Sequence, residues 1–129
     1  MIAVGTPARS NGEPNLDHVL QVCDEIALAL RGKVASHVVV LRSTVPPGTL
    51  DRCAAAFQAC GLSVHMAFNP EFLREGSAVS DYSQPAYTVI GTDDPKAEQA
   101  LRELYVNIPA PILVVRPGVA EMLKYVANA

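Results

Sequence analysis

A chain of 129 residues is long enough for one hydrophobic core and short for two, so a single domain is expected. Half of its residues are apolar, 18% are charged and 5% are aromatic, a balance that excludes a disordered chain and describes an aliphatic-rich globular one. The net charge is −3 and the ten basic residues are scattered, which leaves no electrostatic footprint for nucleic acid or an acidic membrane surface.

The longest apolar stretches are strand-sized, and the short apolar run after Met1 lacks the charged and apolar regions of a signal peptide. No membrane partner is expected, and the cytoplasm is the expected location. Cys23, Cys53 and Cys60 make an odd set with no metal-like spacing, so no metal site is expected. They read as small hydrophobes. A nucleophilic cysteine would need a neighbouring base or a loop setting that the sequence does not supply.

In chain order, Ile2-Ala3-Val4 is a short buried-strand pattern broken by Gly5-Thr6-Pro7. The polar stretch from Arg9 to Asn15 is a loop whose last residue can cap a helix. Leu16, Leu20, Cys23, Ile26, Ala27 and Leu30 then recur at helical spacing up to Gly32. Val38 to Leu41 is an all-aliphatic run of the kind found in strands covered on both faces. After Pro46-Pro47-Gly48, Thr49 can cap a second helix that runs to Cys60 and closes at Gly61.

Val64 to Phe68 is a third strand, leading into a loop from Asn69 to Gln84. Tyr87 to Ile90 is a fourth, stopping at Gly91. Asp93-Asp94-Pro95 starts a third helix, with proline in the first turn and acids at the positive end of the dipole. Ile112 to Val115 is a fifth strand, and Gly118 to Ala129 begins a helix with Val119, Met122, Leu123 and Val126 on its apolar side.

Strands alternating with helices predict an α/β layered domain with a parallel sheet. Ligands in such sheets sit beyond the carboxyl ends of the strands. That rule selects Gly5-Thr6-Pro7, Arg42-Ser43-Thr44, Asn69 to Glu75, and Arg116-Pro117-Gly118. No GxGxxG and no GxxxxGK[ST] occurs, so no phosphate cradle is legible. Ser43-Thr44 reads either as a site or as a loop whose hydroxyls satisfy turn amides.

Glu71 and Glu75 share a face if their segment is a helical turn, and two acids that close would push one pKa up towards neutrality, as a general acid or base requires. A solvated first turn of a helix is the rival reading. Lys124 and Asn128 also share a helical face, where an ammonium beside an amide can clamp a developing oxyanion. An ordinary exposed lysine is the alternative.

Four stretches, taken in order, carry a resemblance: Val4-Gly5-Thr6-Pro7, Arg42-Ser43-Thr44-Val45-Pro46-Pro47-Gly48-Thr49, Asn69-Pro70-Glu71-Phe72-Leu73-Arg74-Glu75 and Ala120-Glu121-Met122-Leu123-Lys124-Tyr125-Val126-Ala127-Asn128. Together they resemble the UDP-glucose and GDP-mannose dehydrogenase family over nearly the whole chain. The resemblance implies a partial Rossmann-like, doubly wound, mainly parallel sheet that ends in the start of a central connecting helix. Residues 1–117 would be the carboxyl-terminal part of an NAD-binding domain and residues 118–129 the start of that helix.

The implied activity is an NAD-dependent two-step oxidation of a sugar C6 alcohol to a carboxylate, through an aldehyde and a cysteine-linked thioester. Thr6 and Thr44 resemble contacts to NAD, with Thr44 also near the reacting centre, and Glu75 resembles the acid close to nicotinamide and substrate. Glu71 is similar to the acid that assists water attack or proton transfer. Lys124 and Asn128 match the pair that binds substrate and stabilises the oxyanion, and the backbone around Phe72 and Leu73 would help hold the nucleotide sugar.

The glycine-rich unit expected before Ile2 and the Gly-Gly-x-Cys loop expected after the Lys/Asn helix are not in this chain. It therefore reads as a fragment, inactive alone, of an enzyme that is a homodimer when intact. Tyr82 to Gly91 and Asn11-Gly12 look closer to the GDP-mannose branch than to the UDP-glucose branch. A catalytically silent α/β module binding a nucleotide or a protein is the rival reading; the presence of Glu71, Glu75, Lys124 and Asn128 favours the enzyme.

Overall fold

A computed structural model describes residues 1–74 and 76–127. Aliphatic runs form four short strands, β1 (Val38–Leu41), β2 (His65–Phe68), β3 (Thr88–Gly91) and β4 (Ile112–Val115). Five helices surround them: α1 (Asp17–Leu30), α2 (Thr49–Ala59), α3 (Ala78–Ser83), α4 (Pro95–Leu104) and α5 (Pro117–Ala127). The sheet order is β1-β2-β3-β4, with Ile2 bridging Leu41 in parallel at the β1 edge. The predicted first strand is thus a single bridge. Beyond it Val4 is held by a side chain, its amide donating to Ser43 Oγ at 2.8 Å.

Alternation along each strand sends residues to opposite faces of the sheet. Val39, Leu41, Met66, Phe68 and Val89 join Val19, Cys23, Leu50, Phe57 and Ala120 in the core beneath α1, α2 and α5. Val40, Ala67 and Ile90 meet Ala97, Leu101 and Tyr105 of α4 on the other side. This is the doubly wound layering that the alternation of elements predicts. Among the described residues, no helix is long and apolar enough to cross a membrane.

One reversal shapes the site. β1 and β2 are parallel, as are β3 and β4, but β2 and β3 run antiparallel and meet at Phe68 and Gly91. The end of β4 therefore points away from the loop that follows β2, and Arg116-Pro117-Gly118 does not join the strand-end site. Instead α5 begins there and travels back across the sheet, arriving with Lys124 beside Glu71.

The helix faces also depart from the periodic reading. Ala120, Glu121 and Lys124 are the buried residues of α5, whereas Val119, Met122, Leu123 and Val126, the predicted apolar side, are 41 to 66% exposed. The cause is close packing. A Cβ on Gly91 would lie 2.5 Å from Ala120 Cβ, so the strand has no side chain where the helix lies on it.

Helix starts are partly local and partly remote. Asp94 caps α4, accepting from the Lys96 and Ala97 amides, as the Asp-Pro pair predicts. Asn15 is not the cap of α1, whose N-cap is Leu16 with no side-chain bond; from one position earlier, its Oδ1 accepts from the Asp17 amide at 2.9 Å. Thr49 does not cap α2: its hydroxyl donates to Pro46 O at 2.7 Å, and the N-cap is Gly48, at φ +88° with no side chain to offer. Glu121 of α5 supplies the missing acceptor, taking the Gly48 and Leu50 amides at 2.6 and 2.8 Å.

Candidate active site

Beneath the strand ends lies a buried polar joint. Asn69, 1% exposed, follows β2; its amide donates to Leu41 O at 2.9 Å and its Nδ2 to Val89 O at 2.8 Å. Its Oδ1 accepts from Arg42 Nη1 and, at 2.6 Å, from the Tyr105 hydroxyl. One carboxamide thereby ties β1, β2, β3 and the end of α4 together. An aspartate could not donate to Val89, which is why the amide suits this place.

Further along the β1 edge, Ser43 Oγ donates to Val4 O at 2.7 Å and Thr6 Oγ1 donates to Thr44 O at 2.7 Å. Thr6 and Thr44 stand at this edge as expected, and Ser43 meets a backbone amide as its loop reading allowed, but Tyr105 was not expected here and nothing local tied Asn69 to it. The partners of these side chains lie 20 to 63 residues away.

The loop from Asn69 to Arg74 has no helical turn; α3 begins only at Ala78. Glu71 is therefore not in a helical turn. Glu75 and Asn128 lie outside the described residues. Glu71 instead meets Lys124: the lysine Nζ donates to Glu71 O at 2.5 Å and to Glu71 Oε1 at 3.0 Å. The Lys124 side chain is only 4% exposed. Its ammonium lies 5.7 Å from the centroid of Phe72, whose ring meets Tyr87 edge-on at 5.6 Å.

This setting lowers the pKa of Glu71. Burial works against its ionisation, but the Leu73 amide and the Lys124 ammonium, with a contribution from Arg42, outweigh it and hold the carboxyl below its ordinary 4.5. Glu71 is a carboxylate at neutral pH, a proton acceptor and not a donor. Because its folded pKa is depressed, its contribution to stability is full above 4.5 and is lost as pH falls through the depressed value. Glu71→Gln should therefore have a lower Tm than the wild type, with the gap narrowing as pH falls below 4.5. A gap independent of pH in thermal melts would disprove that linkage.

Two concavities lie in this region, one lined by Glu71 and one by Tyr125, the residue after Lys124. One, of about 320 Å3, runs past Glu71, Phe72 and Leu73 and is closed by Tyr82, Tyr87 and Tyr105. At its mouth Arg74 Nη2 donates to Asp81 Oδ1 at 2.8 Å, and this contact holds the Asp81 carboxyl well below the usual carboxylate range. The other, of about 250 Å3, is lined by Thr6, Ala8, Gly12, Pro14, Thr44 and Tyr125. Its hydroxyls, aromatic wall and lack of charge fit the nicotinamide and ribose end of a dinucleotide. It holds no cation or glycine-rich turn for a pyrophosphate.

The cysteines stand apart from both. Cys23 and Cys53 are buried and Cys60 is exposed at the end of α2. The Cys23 thiol lies against Cys53, and that contact together with burial pushes its pKa up, away from a reactive thiolate. Among the described residues no group of His, Cys, Asp and Glu could hold a metal ion.

The family model described as "UDP-glucose/GDP-mannose dehydrogenase family, NAD binding domain" matches residues 1–109. The chain belongs to this family. A GDP-mannose 6-dehydrogenase from Pseudomonas savastanoi pv. phaseolicola is 43% identical over 136 residues, covering 99% of this chain and 31% of the relative. The crystal structure of a ternary complex of GDP-mannose dehydrogenase from Pseudomonas aeruginosa superposes with a TM-score of 0.92 at 42% identity, covering 97% of this chain and 30% of that one. A UDP-glucose dehydrogenase from Pyrobaculum islandicum superposes at 0.93 with 42% identity, covering 98% and 30%. The chain thus spans about a third of the length of the family members it matches, and the cofactor of its domain is NAD.

Proposed function

We propose that this chain works within an NAD-dependent nucleotide-sugar 6-dehydrogenase that oxidises a sugar C6 alcohol to a carboxylate. The observation that carries this reading is the meeting of Lys124 with Glu71, one buried ammonium delivered by α5 to the loop beyond β2. A silent module would have no use for a lysine buried at that edge, where desolvation is costly. The residues that would hold NAD are Thr6 and Thr44, and the cofactor would supply the hydride acceptor for each oxidation.

The chain's own residues position and polarise. Lys124 offers its ammonium to the substrate oxygen, stabilising negative charge on the alkoxide and on the tetrahedral oxyanion. Glu71, ionised and within reach of that ammonium, orients it and accepts a proton from water. The backbone at Phe72 and Leu73 holds the nucleotide sugar, and Thr6 and Thr44 hold the nicotinamide end of the cofactor. Glu75 and Asn128 keep the roles that their places in the family motifs imply, beside the nicotinamide and on the substrate oxygen. Residues 118–129 begin the connecting helix, and the outward Val119, Met122 and Val126 supply the apolar face of a homodimer in the cytoplasm.

The thioester step uses a cysteine that is none of Cys23, Cys53 and Cys60, so the 129-residue chain by itself does not complete the reaction. GDP-mannose is the preferred substrate over UDP-glucose. Tyr82, Gln84, Pro85, Ala86 and Tyr87, from the stretch that resembles the GDP-mannose branch, line the larger concavity beside Glu71. The intact protein should form two NADH per nucleotide sugar, with kcat/KM for GDP-mannose at least about tenfold above that for UDP-glucose. One NADH per sugar, or no turnover of either sugar, would overturn the enzymatic reading; a reversed ratio would overturn the substrate.

A further inference from the structure

Glu121 is an acid in an uncommon place. It is wholly buried in the middle of α5, with both oxygens spent on the backbone amides of Gly48 and Leu50 at the start of α2. Those amides are the unsatisfied donors that every helix start presents, and Gly48, in the left-handed region at φ +88°, has no side chain to meet them. The positive end of the α2 dipole favours the charge. Burial nevertheless pushes the carboxyl pKa up, with the two amides and Thr49 offsetting part of the effect and Asp51 adding to it.

A hydrophobic residue or a local Ser, Thr or Asp could end α2 at less cost. What the long-range cap does that a local one cannot is join two pieces of the site. The turn from Thr44 to Gly48 carries Thr44, and α5 carries Lys124 one helical turn after Glu121, three positions along. A helix rises about 1.5 Å and turns about 100° per residue, so an anchor at Glu121 sets both the height and the heading of Lys124.

We propose that Glu121 is a positioning residue that locks α5 to the Thr44–Gly48 turn and so holds the Lys124 ammonium at Glu71. The proposal takes Lys124 as the working residue of the site, but its test reads position and not turnover. In the intact protein, amine labelling followed by mass spectrometry compares Lys124 with Lys33 and Lys96, which are exposed. Thiol labelling of Cys23, buried on α1, reports opening of the whole core.

In Glu121→Ala, labelling of Lys124 should rise about fivefold or more relative to Lys33 and Lys96 while Cys23 stays protected. Glu121→Gln keeps the volume and one acceptor, and should show a smaller rise in the same sense. It decides the matter if the alanine variant does not fold. Unchanged protection of Lys124 in a folded variant overturns the proposal, as does a rise in Cys23 labelling that keeps step with Lys124, which would mean general loosening. Either result stands whether or not the intact protein turns over a nucleotide sugar.

Discussion

Lys124→Ala is expected to lower kcat of the intact dehydrogenase about 100- to 1,000-fold, the usual cost of removing one oxyanion donor from a water-poor site. KM for NAD should change little, because Thr6 and Thr44 line the other concavity and make no hydrogen bond to the lysine head. Lys124→Arg should not restore the rate. The head group sits against the Phe72 ring and the Glu71 carboxylate, a space occupied by a compact ammonium, and a planar guanidinium presents its donors differently. Rapid-mixing measurements of the first NADH formed would read the chemical step directly. A Lys124→Ala rate within about threefold of wild type would remove Lys124 from the mechanism.

What the sequence made legible was local. Val38 to Leu41 is a strand because four aliphatics in a row need cover on both faces, and Val39 and Val40 are indeed buried in opposite cores. Asp94 before Pro95 announced a helix start that uses no residue beyond Ala97. The family motifs placed Glu71 and Lys124 in one site, but nothing in their spacing showed that they touch. That contact needs β3 to run against β2 so that α5 can return across the sheet.

Periodicity misled at α5 for a related reason. It treats charged residues as outward and aliphatic ones as inward. Glu121 and Lys124 are satisfied inside only by partners 71 to 73 and 53 residues away, which no local window contains. Val119, Met122 and Val126 are turned out by the contact of Ala120 with Gly91. Arg42 and Asn69 could be placed at strand ends, but Tyr105 could not, and nothing local joined the three before β1, β2 and α4 bring them together.

That contact between α5 and β3 can be tested by adding one methyl group. A Cβ at Gly91 would sit 2.5 Å from Ala120 Cβ and 3.3 Å from Pro117 Cα, and one of these is backbone, so the helix must lift. Gly91→Ala should therefore destabilise the protein by about 1–3 kcal/mol, the range for overfilling a packed core. Lifting α5 also draws Lys124 from Glu71, so the variant should lose the pH-dependent part of its stability that the pair provides. Ala120→Gly alone should cost about 1 kcal/mol through helix propensity. Combined with Gly91→Ala it removes the nearest clash, so the double variant should be more stable than Gly91→Ala alone, a compensating interaction between neighbours. Strictly additive losses in urea unfolding would mean that strand and helix do not meet at these two residues, and the route by which α5 brings its lysine to the loop would have to be redrawn.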